Sequence, residues 1–448
     1  MKFMFENLGP INNGELELNN LTILCGKNNT GKTFIGYSIY GFYSEIDNIV
    51  SEIFLKEEDI FIETKDEINL DLNRLYCKIE DLNQKICKEL VAQLPRIFKT
   101  NNKGFKKTII NLDISKETYD KDNFIKNYNK CLLEILEPFD IILTQNKETL
   151  SFKILNEKDI LMQRIFKILV SKVFAKIIYL NNINETFMLP AERCGLNLFF
   201  KELNINRNEA IFEFDNKNNK YLLNKFARYS LPISDYINML NGLDKINVLN
   251  GLDEKEKEKN IFSDITSILE SDIIQGQFRI SKDRTIEFLS GKDKKSLEFH
   301  LASSTVKSLF GLDYYLKNNS KKNNLLIIDE PEQNLHPDNQ RKLARILARL
   351  SNKGMKVLIS THSDYIIKEL NNLIMLSKFK NYEEIMKKYG YYEDELINAK
   401  KINSYILKNN TIEKVEIEQS GMAIELFDEI INSLNEISED IYFSLQEE

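Results

Sequence analysis

Leu21-Thr22-Ile23-Leu24-Cys25-Gly26-Lys27-Asn28-Asn29-Thr30-Gly31-Lys32-Thr33 is the stretch whose reading decides the fold. An apolar strand ends at Gly26. Gly26 to Thr33 then fits the phosphate-binding pattern G-x-x-x-x-G-K-[ST], and a helix-compatible segment follows from Lys32 to about Tyr43. Glycines let the backbone curl so that successive N–H groups point inward at phosphate. The helix N-terminus adds the positive end of its dipole. In such a loop Lys32 reaches the β- and γ-phosphates, and the Thr33 hydroxyl takes a Mg²⁺ coordination position. A glycine turn in an unrelated α/β domain is the alternative, and the strand before and helix after weigh against it.

Composition narrows the class. The chain has 448 residues, enough for two or three domain-sized units or one large two-lobed unit. No run of about 18 uncharged apolar residues occurs, so no membrane span is expected. The N-terminus lacks the apolar core of a signal peptide. Five scattered cysteines (Cys25, Cys77, Cys87, Cys131, Cys194) suit a reducing cytoplasm and show no metal-ligand spacing. Only three histidines occur, which argues against a His-based metal site. The net charge of −7 offers no general field for nucleic acid, so any DNA contact must be a local patch.

The rest of the chain gives a coarse order of elements. Residues 1–25 read as two short strands joined by a turn at Asn12-Asn13-Gly14. Residues 55–95 read as charged helix, with Ile68, Leu72, Leu75, Ile79, Leu82 and Ile86 forming a narrow seam that ends near Pro95. That seam packs on its own lobe or on a partner. Arg96, Lys99, Lys103, Lys106 and Lys107, with Phe98 and Phe105, form the densest basic patch, either a solvated loop or a DNA-backbone contact. Ile109 to Ile114 and Leu150 to Leu155 read as strands, and 157–180 as an apolar helix. Phe187-Met188-Leu189-Pro190 reads as a core strand. Residues 196–270 read as mostly helical and polar, with a solvated charge run from Asp253 to Lys259, and 275–300 as short alternating strands.

Leu325-Leu326-Ile327-Ile328-Asp329-Glu330 is a second apolar run, of the kind buried on both faces of a parallel sheet. Ligands bind at the C-terminal ends of such strands. There Asp329 would hold Mg²⁺, and Glu330 would polarise the attacking water as a general base. Val357-Leu358-Ile359-Ser360-Thr361-His362-Ser363 is a third such strand, reached through a helix from Gln340 to Leu350. His362 at its tip is placed to sense or hold the γ-phosphate.

The order of phosphate loop, Ser-rich segment, Asp-Glu strand and strand-end His resembles an ABC-type ATPase head, of the SMC, RecF and OLD-like group. Pro331-Glu332-Gln333-Asn334-Leu335-His336-Pro337 is similar to the Pro-Glu-x-x-Leu-His-Pro of that group, and Leu189-Pro190-Ala191-Glu192-Arg193 to a motif of bacterial OLD-like ATPases. The resemblance covers residues 1–45 and 296–376 well. It implies an α/β head with a mostly parallel core sheet, an N-terminal antiparallel sheet and an inserted helical lobe. It also implies ATP and Mg²⁺ as ligands, with two copies sandwiching two nucleotides. The signature candidate is Leu301 to Leu309, where Ser303 and Ser304 would bind the partner's γ-phosphate. The group usually has Gly where this chain has Thr305. Asn334 to His336 matches the loop that crosses the dimer interface. Glu192 and Arg193 stand where the group has a Mg²⁺- and water-sensing glutamine, or form a structural ion pair.

The resulting plan divides the chain into 1–55 (head with phosphate loop), 56–185 (inserted helical or mixed segment), 186–300 (strand-end loop, helical lobe and short strands), 301–376 (signature, Asp-Glu and His part) and 377–448 (C-terminal helical segment). The segment after His362 shows no Toprim-type metal set, so no intrinsic nuclease is expected. The resemblance then points to a cytoplasmic, homodimeric or higher ATPase that controls a separately encoded nuclease or toxin, as in PARIS-type or Septu-type phage-defence pairs. The rival readings are a RecF-like DNA-repair ATPase and a scaffold whose ATP only stabilises a dimer.

Overall fold

The computed structural model describes residues 1–63, 67–114, 121–136, 143–146, 149–153, 160–180, 183–203, 229–243, 260–281, 285–291, 295–378, 382–418, 420–423 and 425–446. The charge run from Asp253 to Lys259 lies outside them. The fold is mixed α/β, and the chain divides into two compact units. One holds Met1–Glu17 and Tyr37–Thr186, the other Leu18–Gly36 and Phe187–Glu448.

In the first unit, strands Lys2–Leu8 and Ile11–Glu17 pair antiparallel, and Ile109–Asp113 joins the free edge of the first. Phe3, Phe5 and Leu16 alternate inward and are buried. The turn falls at Gly9-Pro10, with Leu8 opposite Ile11. The expected Asn12-Asn13-Gly14 turn is instead strand, with Gly14 opposite Phe5. A second antiparallel sheet orders Phe61–Glu63, Glu67–Asp71, Thr149–Lys153 and Leu143–Asn146.

The helix that starts at Lys32 continues to Lys56, well beyond Tyr43, because Ile46, Ile49, Val50 and Phe54 keep burying one face. The seam from Ile68 to Ile86 is interrupted. Ile68 lies on a strand, Leu72–Cys77 is a short helix capped by Asp71, and Ile79–Ile97 is a separate helix that runs through Pro95. All six seam residues are buried in the unit, so the periodicity reported burial rather than one continuous helix. In the basic patch Arg96 reaches Glu45 at 3.3 Å, and Phe98 packs on Phe105 with ring centroids 5.1 Å apart. The four lysines are exposed.

The second unit is built on strands in the order Thr411–Val415, Ile402–Lys408, Leu21–Gly26, Lys356–Thr361, Leu325–Asp329 and Thr186–Leu189. Ile402–Lys408, Leu21–Gly26, Lys356–Thr361 and Leu325–Asp329 run parallel, and Thr411–Val415 closes antiparallel on the first of them. Every residue of Leu21–Gly26 and of Leu325–Asp329 is buried, as strands covered on both faces must be. Helix Pro337–Asn352 makes the crossover between the last two parallel strands, and Ser304–Asn318 and Asp364–Lys378 pack in the same core. A small antiparallel sheet comprises Gly276–Ile280, Ile286–Ser290 and Ser296–Glu298.

The C-terminal segment is not all helix. Its hairpin Ile402–Lys408 and Thr411–Val415 turns on Asn409 and Asn410, both at positive φ (52° and 60°), the backbone that a two-residue hairpin turn requires. After it, helix Glu425–Gln446 leaves Leu434, Ile437, Ile441, Tyr442 and Phe443 exposed. Among the described residues no helix is long and apolar enough to cross a membrane.

Candidate nucleotide site

Parallel register brings the predicted residues to one sheet edge. Asp329 lies opposite Ser360, Ser360 opposite Leu24, and Thr361 opposite Cys25. The ends of three strands therefore finish level with the start of the loop at Gly26. A side chain at Gly26 would meet the Leu407 carbonyl oxygen and Thr30 Oγ1, both at 2.9 Å, so the neighbouring strand leaves no room for one.

Within the loop the Lys32 ammonium donates to the carbonyls of Gly26 at 2.8 Å and Lys27 at 2.9 Å. Burial lowers its pKa, while Asp329, Glu330 and Glu332 pull the other way. Thr30 Oγ1 closes the turn by donating to the Lys27 carbonyl at 2.8 Å. Thr33 Oγ1 donates to Asp329 Oδ2 at 3.0 Å, and Ser360 Oγ donates to Asp329 Oδ1. Burial raises the Asp329 pKa against these two hydrogen bonds.

Glu330 sits just past the strand end at φ 49°, a left-handed conformation that costs a non-glycine residue on the order of 1 kcal/mol. Its N–H donates to the Ser360 carbonyl at 3.0 Å. Its carboxylate stands 4.0 Å from His362 Nδ1. Glu332 is buried. It accepts the His362 N–H and the Thr361 hydroxyl, both at 2.8 Å, and lies 3.3 Å from His362 Nδ1. A carboxylate there favours the tautomer with the proton on Nδ1, leaving Nε2 for another partner.

Ser303 is the N-cap of helix Ser304–Asn318, accepting from the Val306 N–H at 3.3 Å. Ser303 and Ser304 are exposed, and among the described residues neither bonds the loop 26–33. Thr305, which replaces the usual glycine, donates to the carbonyl of Asn334 at 2.8 Å, and Asn334 is itself at φ 62°. His336 caps the crossover helix, accepting from the Asp338 N–H at 3.4 Å, with Pro337 at the first helical position.

Ser360 and Glu332 carry no role of their own in the sequence, where they are only parts of motifs, and Arg193 is expected to sense water or form an ion pair. Its guanidinium instead bonds the carbonyls of Asp329, Glu330, Pro190 and Ser308. Glu192 is exposed. Among the described residues no group of three or more His, Cys, Asp or Glu could hold a metal. Thr33 with Asp329 instead offers hydroxyl and carboxylate oxygens, the hard donors that suit Mg²⁺ beside phosphate.

Among solved structures the chain is similar to an SMC head domain from Thermotoga maritima, at 10% identity and TM-score 0.30, covering 93% of this chain and 98% of that one. It is also similar to a Pyrococcus furiosus Smc head with an extended coiled coil bound to the C-terminal domain of ScpA, at 11% identity and TM-score 0.30, covering 98% of both chains. No curated protein matches this chain. The family model described as AAA ATPase domain matches residues 1–367. With its phosphate loop, paired strand-end carboxylates and strand-end histidine at one sheet edge, the chain belongs to the AAA ATPase domain family (AAA_15).

Proposed function

We propose that the chain hydrolyses ATP with Mg²⁺, using Lys32 and the loop Gly26 to Thr33 to hold the phosphates, Thr33 and Asp329 to hold the metal, and Glu330 with His362 at the γ-phosphate. The observation that carries this reading is the 3.0 Å hydrogen bond from Thr33 to Asp329, which joins the end of the loop to the end of the acidic strand. Mg²⁺ would supply charge neutralisation at the β- and γ-phosphate oxygens. Lys32 would exchange its two carbonyl partners for phosphate. Glu330 would accept a proton from the attacking water at its carboxylate, and His362 would present Nε2 to the γ-phosphate. Steady-state turnover with and without Mg²⁺, beside titration of a fluorescent ATP analogue, tests this. Binding without Mg²⁺-dependent turnover would reduce the protein to a nucleotide-stabilised scaffold.

The wider role we infer is a dimerising switch that governs a separately encoded effector in antiphage defence. Ser303 and Ser304 are exposed at a helix N-terminus, where a phosphate on a second copy would meet their hydroxyls. Helix Glu425–Gln446 supports a protein partner. It carries an exposed Leu-Ile face and acidic residues with no lysine or arginine, which fits an apolar groove rimmed by basic side chains better than a second copy of itself. Co-expression with the neighbour-encoded protein and size-exclusion chromatography tests the pairing. Co-elution that Leu434→Ser with Ile437→Ser abolishes supports it. A homodimer holding only DNA moves the reading to repair.

A further inference from the structure

Arg193 is 2% exposed, yet its hydrogen bonds go to backbone carbonyls and not to a carboxylate. Nη1 donates to the Asp329 carbonyl and Nη2 to the Glu330 carbonyl, both at 2.7 Å. Nε donates to the carbonyl of Ser308, inside helix Ser304–Asn318, at 3.2 Å, and Nη1 also reaches the Pro190 carbonyl at 3.2 Å. Burial lowers its pKa, with Tyr236, Glu332, Asp329 and Glu330 opposing. Charge-assisted bonds to carbonyls are stronger than neutral ones, and the planar fork fixes their directions together.

What the fork holds is unusual. The two carbonyls at 2.7 Å belong to the peptides on either side of the Glu330 Cα, and Glu330 is held at φ 49°. A non-glycine residue stays in that conformation only where its surroundings over-determine it. Two further bonds tie the same region to the serine-bearing helix. Asn197, one turn after Arg193, donates to the Lys307 carbonyl at 2.8 Å, and Thr305 donates to the Asn334 carbonyl at 2.8 Å. The helix that carries Ser303 and Ser304 at its start is thus bonded to the turn that carries Glu330, with Arg193 touching both.

We propose that Arg193 is a positioning residue for ATP hydrolysis. It holds the Glu330 turn in its left-handed conformation and in register with helix Ser304–Asn318, so that the carboxylate is aimed only while that helix is seated. The proposal rests on the reading of Glu330 as the group that acts on water. It assigns to Arg193 no contact with nucleotide or metal.

The test is a double-mutant cycle on the full-length protein, read as single-turnover hydrolysis and as affinity for a fluorescent ATP analogue. Arg193→Gln is expected to bind nucleotide within about threefold of wild type and to lose on the order of 100-fold in rate, because the loop is untouched while the carboxylate is misaimed. Arg193→Lys keeps the charge without the fork and is expected to fall between. In the Glu330→Gln background, adding Arg193→Gln is expected to change the residual rate less than about threefold. Equal fractional losses in both backgrounds overturn the proposal alone. So does a parallel loss of affinity, melting temperature and rate in both arginine variants, which marks a purely structural group. Undiminished turnover in Glu330→Gln by itself overturns the site reading, and the positioning role with it.

Discussion

Glu332 and His362 are joined twice. One oxygen of the buried carboxylate accepts the His362 backbone N–H at 2.8 Å and lies 3.3 Å from Nδ1 of its ring. The other oxygen accepts the Thr361 hydroxyl. One acidic side chain therefore fixes both the path of the strand end and the way the imidazole faces. Glu332→Gln keeps the size but replaces one acceptor with a donor aimed at another donor. We expect turnover to fall about tenfold or more and stability by about 1–3 kcal/mol, from the cost of an unsatisfied buried group. Paired melting curves and ATPase assays would show this, and an unaltered rate would remove the carboxylate from the machinery.

Glu330→Gln is expected to bind ATP normally while losing at least about a hundredfold in rate, because an amide cannot take the proton from water. With the base lost and binding intact, the nucleotide-bound dimer should accumulate. Light scattering with ATP and Mg²⁺ reads this directly, and a monomer under those conditions contradicts it.

Lys32→Ala removes the cation that grips the Gly26 and Lys27 carbonyls. Nucleotide affinity should drop below detection in a calorimetric titration, since the buried cation at the start of the helix is gone and the backbone dipoles do not replace its charge. Unchanged affinity would mean that nucleotide binds elsewhere.

Gly311 lies in helix Ser304–Asn318 where a side chain would strike the Tyr236 hydroxyl and come within 2.9 Å of Leu189 Cδ2. Gly311→Ala should destabilise the protein by about 1–3 kcal/mol through overpacking. Tyr236→Phe removes the nearest obstacle, the hydroxyl, and leaves the ring carbon Cε2 and Leu189 Cδ2 at 2.9 Å, so the pair should recover part of the loss and melt higher than Gly311→Ala alone by more than Tyr236→Phe changes wild type.

Asp313, on the same helix, has its carboxyl pushed by burial up to about 6, against the attraction of the Lys317 ammonium 2.9 Å away. One of its oxygens, Oδ1, is buried without a hydrogen-bond partner. The folded protein thus holds this proton more tightly than the unfolded chain does. The stabilisation is complete below about pH 4 and is lost as pH rises through about 6. A shift of this size corresponds to about 3 kcal/mol. Asp313→Asn, which mimics the neutral form, should raise the melting temperature at pH 7.5 and flatten this group's part of the decline between pH 4 and 7. A lower melting temperature at pH 7.5 would mean that the ion pair with Lys317 outweighs the burial.

The legible parts of this sequence were those whose signals are local. Leu21 to Thr33 carries strand, loop and helix start within thirteen consecutive residues. Apolar runs ending in Asp329-Glu330 and in Ser360-Thr361-His362 give away buried strands with polar tips. Ser303 before a helix and His336-Pro337 before another are caps that can be read by eye. What escaped depends on partners far away in the chain. Nothing near Arg193 says that its partners are carbonyls, because carbonyls leave no mark in a sequence. Residues 377–448 look helical throughout, although Asn409-Asn410 is a usable turn signal for the hairpin that starts with Ile402–Lys408. Its pairing with Leu21–Gly26 could not be read at all. Asn12-Asn13-Gly14 looks more like a turn than Gly9-Pro10 does, but the hydrophobic pairing of Phe3 with Leu16 sets the register and puts the turn at Gly9-Pro10.

The strand Leu21–Gly26 is flanked on one side by Lys356–Thr361 and on the other by Ile402–Lys408. Both neighbours leave the ribosome long after it does. At about 5–20 residues per second, the first strand waits roughly 15–80 seconds for them, its apolar edges unpaired. A sheet closed by such distant segments has high contact order and forms slowly. During synthesis, Leu21–Gly26 is thus an edge that stays unpaired until most of the chain has been made.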